Sequence, residues 1–307
     1  MDGAPGIDTS VDAARTSACA TKEKAPVQSR LLLVAAALLF STGGAAFKLA
    51  TTLTAWQVAS FRSGIAAVVL LAVLPEARRG WRWAMVPVAA AYAATLILFV
   101  LANRLTTAAD AIFLQSTAPL YLLLLGPLVL DERIRGGDVA FMAAVMGGIG
   151  MFFVGAEKVS ATAPDPRLGN WLGLASGLTY ALMLVGMRWL ARRGHGESTL
   201  AASALGNLIA FAGVLPMALP VHRVGTADVA VLVYLGVFQI GLAYWCLTRG
   251  IRWVPGVEAT TLLMAEPVMN PVWAWLVLGE RPGTWALGGG AVIVAATLVS
   301  TWVHARR

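Results

Sequence analysis

Charge is scarce in this chain: 13% of its 307 residues are Asp, Glu, Lys or Arg, where a soluble globular domain carries about a quarter. With 58% apolar residues and a mean hydropathy of +0.74, too little polar surface exists to cover a water-soluble fold. Histidine occurs three times, at His195, His222 and His304, all read as loop or terminal positions, so a histidine metal cluster is excluded and no metal site is expected. Cysteine occurs twice. Cys19 lies in a polar N-terminal stretch and Cys246 in an apolar run, which places them too far apart in depth for a disulfide and suggests no redox role. A Walker loop, a GxGxxG turn and a GxSxG elbow are all missing, so no cofactor is expected and any pumping has to draw on an ion or substrate gradient.

Long apolar runs are abundant. A helix needs about 20 apolar residues to cross a bilayer core, and ten such windows can be marked, from 31–50 to 284–303, with short connections between them. Residues 1–30 mix acids and bases without an apolar run and read as a disordered cytoplasmic tail rather than a signal peptide. Orientation follows from basic residues in the loops. With the N-terminus inside, the tail, alternate loops and C-terminus hold 16 Lys/Arg and the opposite side five, while Lys48 and Arg62 fall inside windows. Both termini are therefore expected in the cytoplasm of a multi-pass protein of the cell membrane. The net charge of +7 is accounted for by this bias and does not point to nucleic acid.

Two stretches repeat each other at an offset of 148 residues. Ala109–Arg133 aligns without a gap on Val257–Arg281, matching Pro119 with Pro267, Glu132 with Glu280 and Asp110 with Glu258, with Arg104 and Arg252 just outside. The copies fall on the fourth and the ninth windows, an odd offset of five, so the halves are inserted opposite ways up. The fold class expected is an all-α membrane protein of ten transmembrane helices in two inverted five-helix repeats, residues 31–155 and 169–303. Inverted repeats put a substrate site between the halves and a gate at either face.

Charge inside a membrane costs about 2.5–3.5 kcal/mol on insertion scales, so each intramembrane charge needs a partner or a role. Lys48 is near the end of its window, where its stem can snorkel. Arg62 is deeper. Glu266 is central, with Asn270 and Trp273 one and two turns on along the same helical face; it either lines a pathway or pairs with Arg62 as structural glue. The candidate substrate or proton pathway comprises Lys48, Arg62, Gln115, Tyr180, Glu266, Asn270 and Trp273. Candidate gates or bends are Asp110 and Glu258, which are also explicable as first-turn helix acids, and Pro119 and Pro267, which free backbone carbonyls. The series Gly169, Gly173, Gly177 reads as close helix packing or as a hinge.

The runs FSTGGAAFKLA (40–50), ASFRSGIAAVVLL (59–71), GLASGLTYALMLVGMR (173–188) and MAEPVMNPVWAWLVLGER (264–281) resemble the EamA family of the drug/metabolite transporter superfamily, over everything after the tail. The resemblance implies ten helices in two inverted repeats, a cytoplasmic-membrane location and movement of small metabolites, often outward, such as amino acids or drugs. It puts the family's first-helix pattern on Ser41, Thr42, Gly43, Gly44 and Lys48, its second-helix arginine on Arg62, and its Glu-Pro signature on Glu266 and Pro267. Its Gly-Glu-Arg ends fall on Gly279, Glu280 and Arg281 and, with a departure, on Asp131, Glu132 and Arg133. Ala118 stands where the second repeat has Glu266, and Asp110 where a small residue is expected. The expected function is a secondary transporter, not an enzyme, whose partners are a small-molecule substrate and the bilayer, with a homodimer as an open option. The alternative is a flippase-like translocator of a lipid-linked or amphipathic molecule.

Overall fold

A computed structural model describes residues 27–129, 136–154, 159–193, 195 and 198–305. Ten helices among them are long and apolar enough to cross a membrane. They are α1 (Val27–Leu49, as α1a Val27–Ser41 and α1b Gly43–Leu49), α2 (Ala55–Val73), α3 (Val86–Leu105), α4 (α4a Ala108–Gln115 and α4b Ala118–Val129) and α5 (Gly136–Val154). The second half comprises α6 (Pro166–Arg192), α7 (Ser198–Ala218), α8 (Thr226–Gly250), α9 (α9a Gly256–Leu263 and α9b Ala265–Leu278) and α10 (Thr284–Ala305). Residues 27–30, inside the stretch read as tail, belong to the first helix, and Arg30 among them pairs with Glu258. The rest of that stretch, and Asp131, Glu132 and Arg133, lie outside the described residues.

The repeat is visible in where helices break. Adding 148 to Ala108–Gln115 gives Gly256–Leu263, the bounds of α9a. Pro119 and Pro267 occupy the first turns of α4b and α9b; each lacks an N–H, so the carbonyl four residues earlier loses its helical donor and the helix divides. In α4 the break is covered by side chains, Ser116 Oγ donating to Ile112 O at 2.7 Å and Thr117 Oγ1 to Leu114 O. α1 breaks at Thr42 without a proline, whereas α6 runs unbroken for 27 residues.

Small residues let backbones approach where no hydrophobic drive exists between helices in lipid. A methyl at Gly169 would lie 2.6 Å from Thr106 Cβ, and one at Gly177 3.0 Å from Leu114 O, so the glycine series of α6 is its packing face on α4a. Gly148 and Gly289 serve the α5–α10 crossing in the same way. Phe47, Phe99, Phe113 and Phe152 join Ile293 in one apolar cluster that ties α1b, α3, α4a and α5 to α10. Trp83, Trp253, Trp285 and Trp302 are exposed at helix ends, where aromatic belts meet the membrane–water boundary.

Candidate functional site

Arg62 projects from α2 into the bundle with 2% of its surface exposed. Its Nη2 donates to Leu96 O at 3.2 Å, its Nη1 to Gln239 Oε1 at 3.4 Å, and the guanidinium stacks 4.8 Å from the centre of the Phe47 ring. Nε has no acceptor. Gln239 belongs to a π-helical segment of α8, Tyr234–Leu242. Such wide turns are rare and concentrate at functional sites. Gln239 in turn donates to Phe40 O at 3.4 Å, next to the break in α1. Tyr92 and Tyr244 lie beside Arg62, with ring centres 6.3 Å apart, and Phe40 meets Tyr244 edge-on at 5.5 Å.

Glu266 opens α9b. It has neither an ion pair nor a hydrogen bond among the described residues, and Arg62 likewise has no carboxylate partner there. The Arg62–Glu266 pair considered from sequence is therefore not formed. Tyr180 is within electrostatic reach of Glu266 and Tyr92, and Tyr92 of Arg62. Tyr180 leaves 36% of its surface uncovered.

The remaining candidates divide. Asn270 is fully buried with both amide atoms unpaired, wedged against Gly44 and Ala108. Trp273 Nε1 donates to Ser41 Oγ at 2.9 Å, and Tyr234 OH to Thr42 Oγ1 at 2.9 Å, so α8 and α9b both grip the break in α1. Gln115 belongs to a separate polar ladder, donating to Ser176 Oγ at 2.7 Å, which donates to Thr95 O at 3.3 Å. Lys48 does not snorkel. Its Nζ donates to Thr106 O, Thr162 O and Glu280 Oε2 at 2.8, 2.7 and 2.6 Å, and both side chains of the ion pair are buried. Glu280 Oε1 also accepts the Ala108 N–H at 2.5 Å. Asp110 is buried beside Thr106 Oγ1 at 3.2 Å, while its own N–H is capped by Thr107 Oγ1 at 3.1 Å.

At the other end of the bundle Arg30 Nε meets Glu258 Oε1 at 2.5 Å, both side chains about a third exposed. Outside the membrane-spanning segments there, Glu76 pairs with Arg252 at 3.1 Å; its own backbone N–H first, then Arg252, hold its carboxylate below the ordinary range.

Glu280, Gln239, Arg104 and the two inner tyrosines were not chosen from sequence. The Gly-Glu-Arg end marked Glu280 as a repeat position but not as the counter-ion of Lys48; for Gln239 the sequence carries no signal, because a π turn leaves no composition mark.

Comparisons with known proteins bear on the family and the fold. The model of the EamA-like transporter family matches residues 29–154 and again 167–302. A protein described as an uncharacterized transporter from Archaeoglobus fulgidus is 28% identical over 206 residues, 67% of this chain and 72% of that protein. A probable terminal-alkyne amino-acid exporter from Streptantibioticus cattleyicolor is 25% identical over 195 residues, 62% of this chain and less than two thirds, 63%, of the relative. A solved crystal structure shares the fold at a TM-score of 0.62 and 20% identity, over 91% of this chain and 98% of the other. Two family matches, one on each five-helix half, cover the inverted repeats, and the chain belongs to the EamA-like transporter family as a multi-pass membrane transporter, not an enzyme.

Proposed function

We propose that the chain exports a small zwitterionic metabolite of amino-acid type across the cytoplasmic membrane by alternating access, with both termini in the cytoplasm and the Lys48 end facing out. One observation carries the reading: among the described residues the buried Arg62 guanidinium has no carboxylate and the partly buried Glu266 carboxylate has no cation, with Tyr92 and Tyr180 in electrostatic reach of them. An uncompensated buried charge costs several kcal/mol. A ligand carboxylate on Arg62 and a ligand ammonium on Glu266 would neutralise both at once, and the tyrosine and Phe47 rings offer an apolar surface to its side chain. The name of the Streptantibioticus relative supports an amino acid, and the excess of basic loops supports the orientation.

The test is counterflow in proteoliposomes with a panel of amino acids, their decarboxylated amines and their N-acylated acids. Zwitterions should exchange and the two truncated sets should not. Arg62→Gln is expected to lower exchange about 10- to 100-fold, the worth of losing charge-assisted bonds at about 1.5–3 kcal/mol, and Glu266→Gln to do so for zwitterions selectively. Equal exchange of amines or acids would count against a two-charge site.

A further inference from the structure

We propose that Lys48 and Glu280 form a latch that shuts the Lys48 end of the pathway, and that the structure holds the state in which this end is closed and the Arg30 end is the more exposed. The proposal rests on the alternating-access reading, but its readout needs no substrate.

Four segments meet at the latch. Lys48 lies on α1b, Glu280 follows α9b, Thr106 and Ala108 flank the start of α4a, and Thr162 precedes α6. Gly279 ends α9b with φ +66°, a left-handed turn that favours glycine and is followed at once by the buried Glu280. Beneath the latch a methyl at Gly44 would lie 2.5 Å from Asn270 Oδ1 and 2.9 Å from Ala108 Cβ, so α1b, α4a and α9b approach closely there. Arg104 adds a clamp, donating to Phe47 O at 2.8 Å, to Ala50 O at 3.0 Å and to Leu53 O.

The repeat supplies an internal comparison at two residues near the latch, Arg104 and Asp110, whose counterparts Arg252 and Glu258 lie at the opposite end. Asp110 is 1% exposed, whereas the Glu258 side chain is 34% exposed. Arg104 clamps the end of α1, whereas Arg252 is exposed and reaches only Glu76. The acid and the arginine of the repeat are thus enclosed at one face and solvent-exposed at the other.

A permanent ion pair buried as glue is readily replaced by apolar side chains without loss of stability. A latch has a different requirement. When its halves separate into water, both charges regain hydration, so the open state is not penalised as exposed apolar faces would be. Such a contact suits an element with two discrete arrangements.

The experiment is labelling in intact cells with a membrane-impermeant maleimide, in a Cys19→Ser, Cys246→Ser background carrying Ala108→Cys or Ala274→Cys as reporters beneath the latch. With Lys48 and Glu280 in place, labelling should be slow. Lys48→Met with Glu280→Gln should speed it at least about five-fold, while Glu258→Gln should not. Glu280→Gln alone removes the charge but keeps an acceptor for Ala108 N–H, and serves if the double variant does not fold; it should give a smaller rise. Monodispersity and a thermal melt in detergent select the folded variants. Labelling at the original rate in a folded latch variant would overturn the proposal, and so would fast labelling of the reporters with the latch intact.

Discussion

Asn270 illustrates how a side chain can be legible from sequence while its state is not. Its spacing from Glu266 and Trp273 places it on one helical face, but helix rotation against α1 decides whether its amide meets a donor, a ligand or carbon. In the structure it meets Gly44 and Ala108, with both polar atoms unpaired. A buried unsatisfied amide costs about 1–3 kcal/mol, which a transporter tolerates where another state or a substrate satisfies it. Asn270→Leu, of similar volume, is therefore expected to hold or raise the melting temperature while lowering exchange at least about ten-fold. A fall in both would show that the amide supports the resting fold. Lys48 taught the opposite lesson: its depth suggested snorkelling, and its counter-ion, 232 residues away, could not be named without the packing of α9 on α1. Arg62 was legible as a charge too deep to reach water, but the acceptors it found on α3 and α8 were not.

At the scale of elements, periodic apolarity and the repeat registered nearly everything about number, order and breaks. The breaks of α4 and α9 fall at the repeat offset because each proline removes the same hydrogen bond. The break of α1 was not legible, since Thr42 has no such effect on its own; it is held by Trp273 and Tyr234 from other helices. The π segment of α8 is illegible for the same reason, being set by what it packs on: a methyl at Gly236 would lie 2.5 Å from Ile65 Cγ2. The glycines of α6 offered two readings, packing or hinge, and the structure separates them. A Cβ at Gly169 would meet both Thr106 Cβ at 2.6 Å and its backbone N at 2.7 Å, whereas one at Gly147 on α5 meets nothing within 4 Å. Gly169→Ala is expected to destabilise by about 1–3 kcal/mol, as overpacking does, and Gly147→Ala to leave the melt in detergent unchanged or slightly raised. A hinge at Gly169 would instead slow exchange with little change in the melt.

For the whole molecule, inversion turns one asymmetric structure into a forecast of its other state. Arg104 and Asp110 are enclosed at one face while their counterparts Arg252 and Glu258 are exposed at the other, and in an alternating carrier closing the second face has to release the first. Packed helices are bistable rather than continuously deformable, and the inner halves of α4 and α9 should move as units about their proline breaks. Spin labels at Leu128→Cys on α4b and Thr261→Cys on α9a report the separation at the Arg30 end, and labels at Thr51→Cys and Arg281→Cys report the Lys48 end. The first pair is expected to be long and the second short in the resting protein. With Lys48→Met and Glu280→Gln the populations should exchange, the first pair shortening as the second lengthens. Both pairs lengthening together would mean that the latch variant loosens the bundle without switching it, because reciprocal movement is what distinguishes an alternating carrier from a channel that opens at both ends.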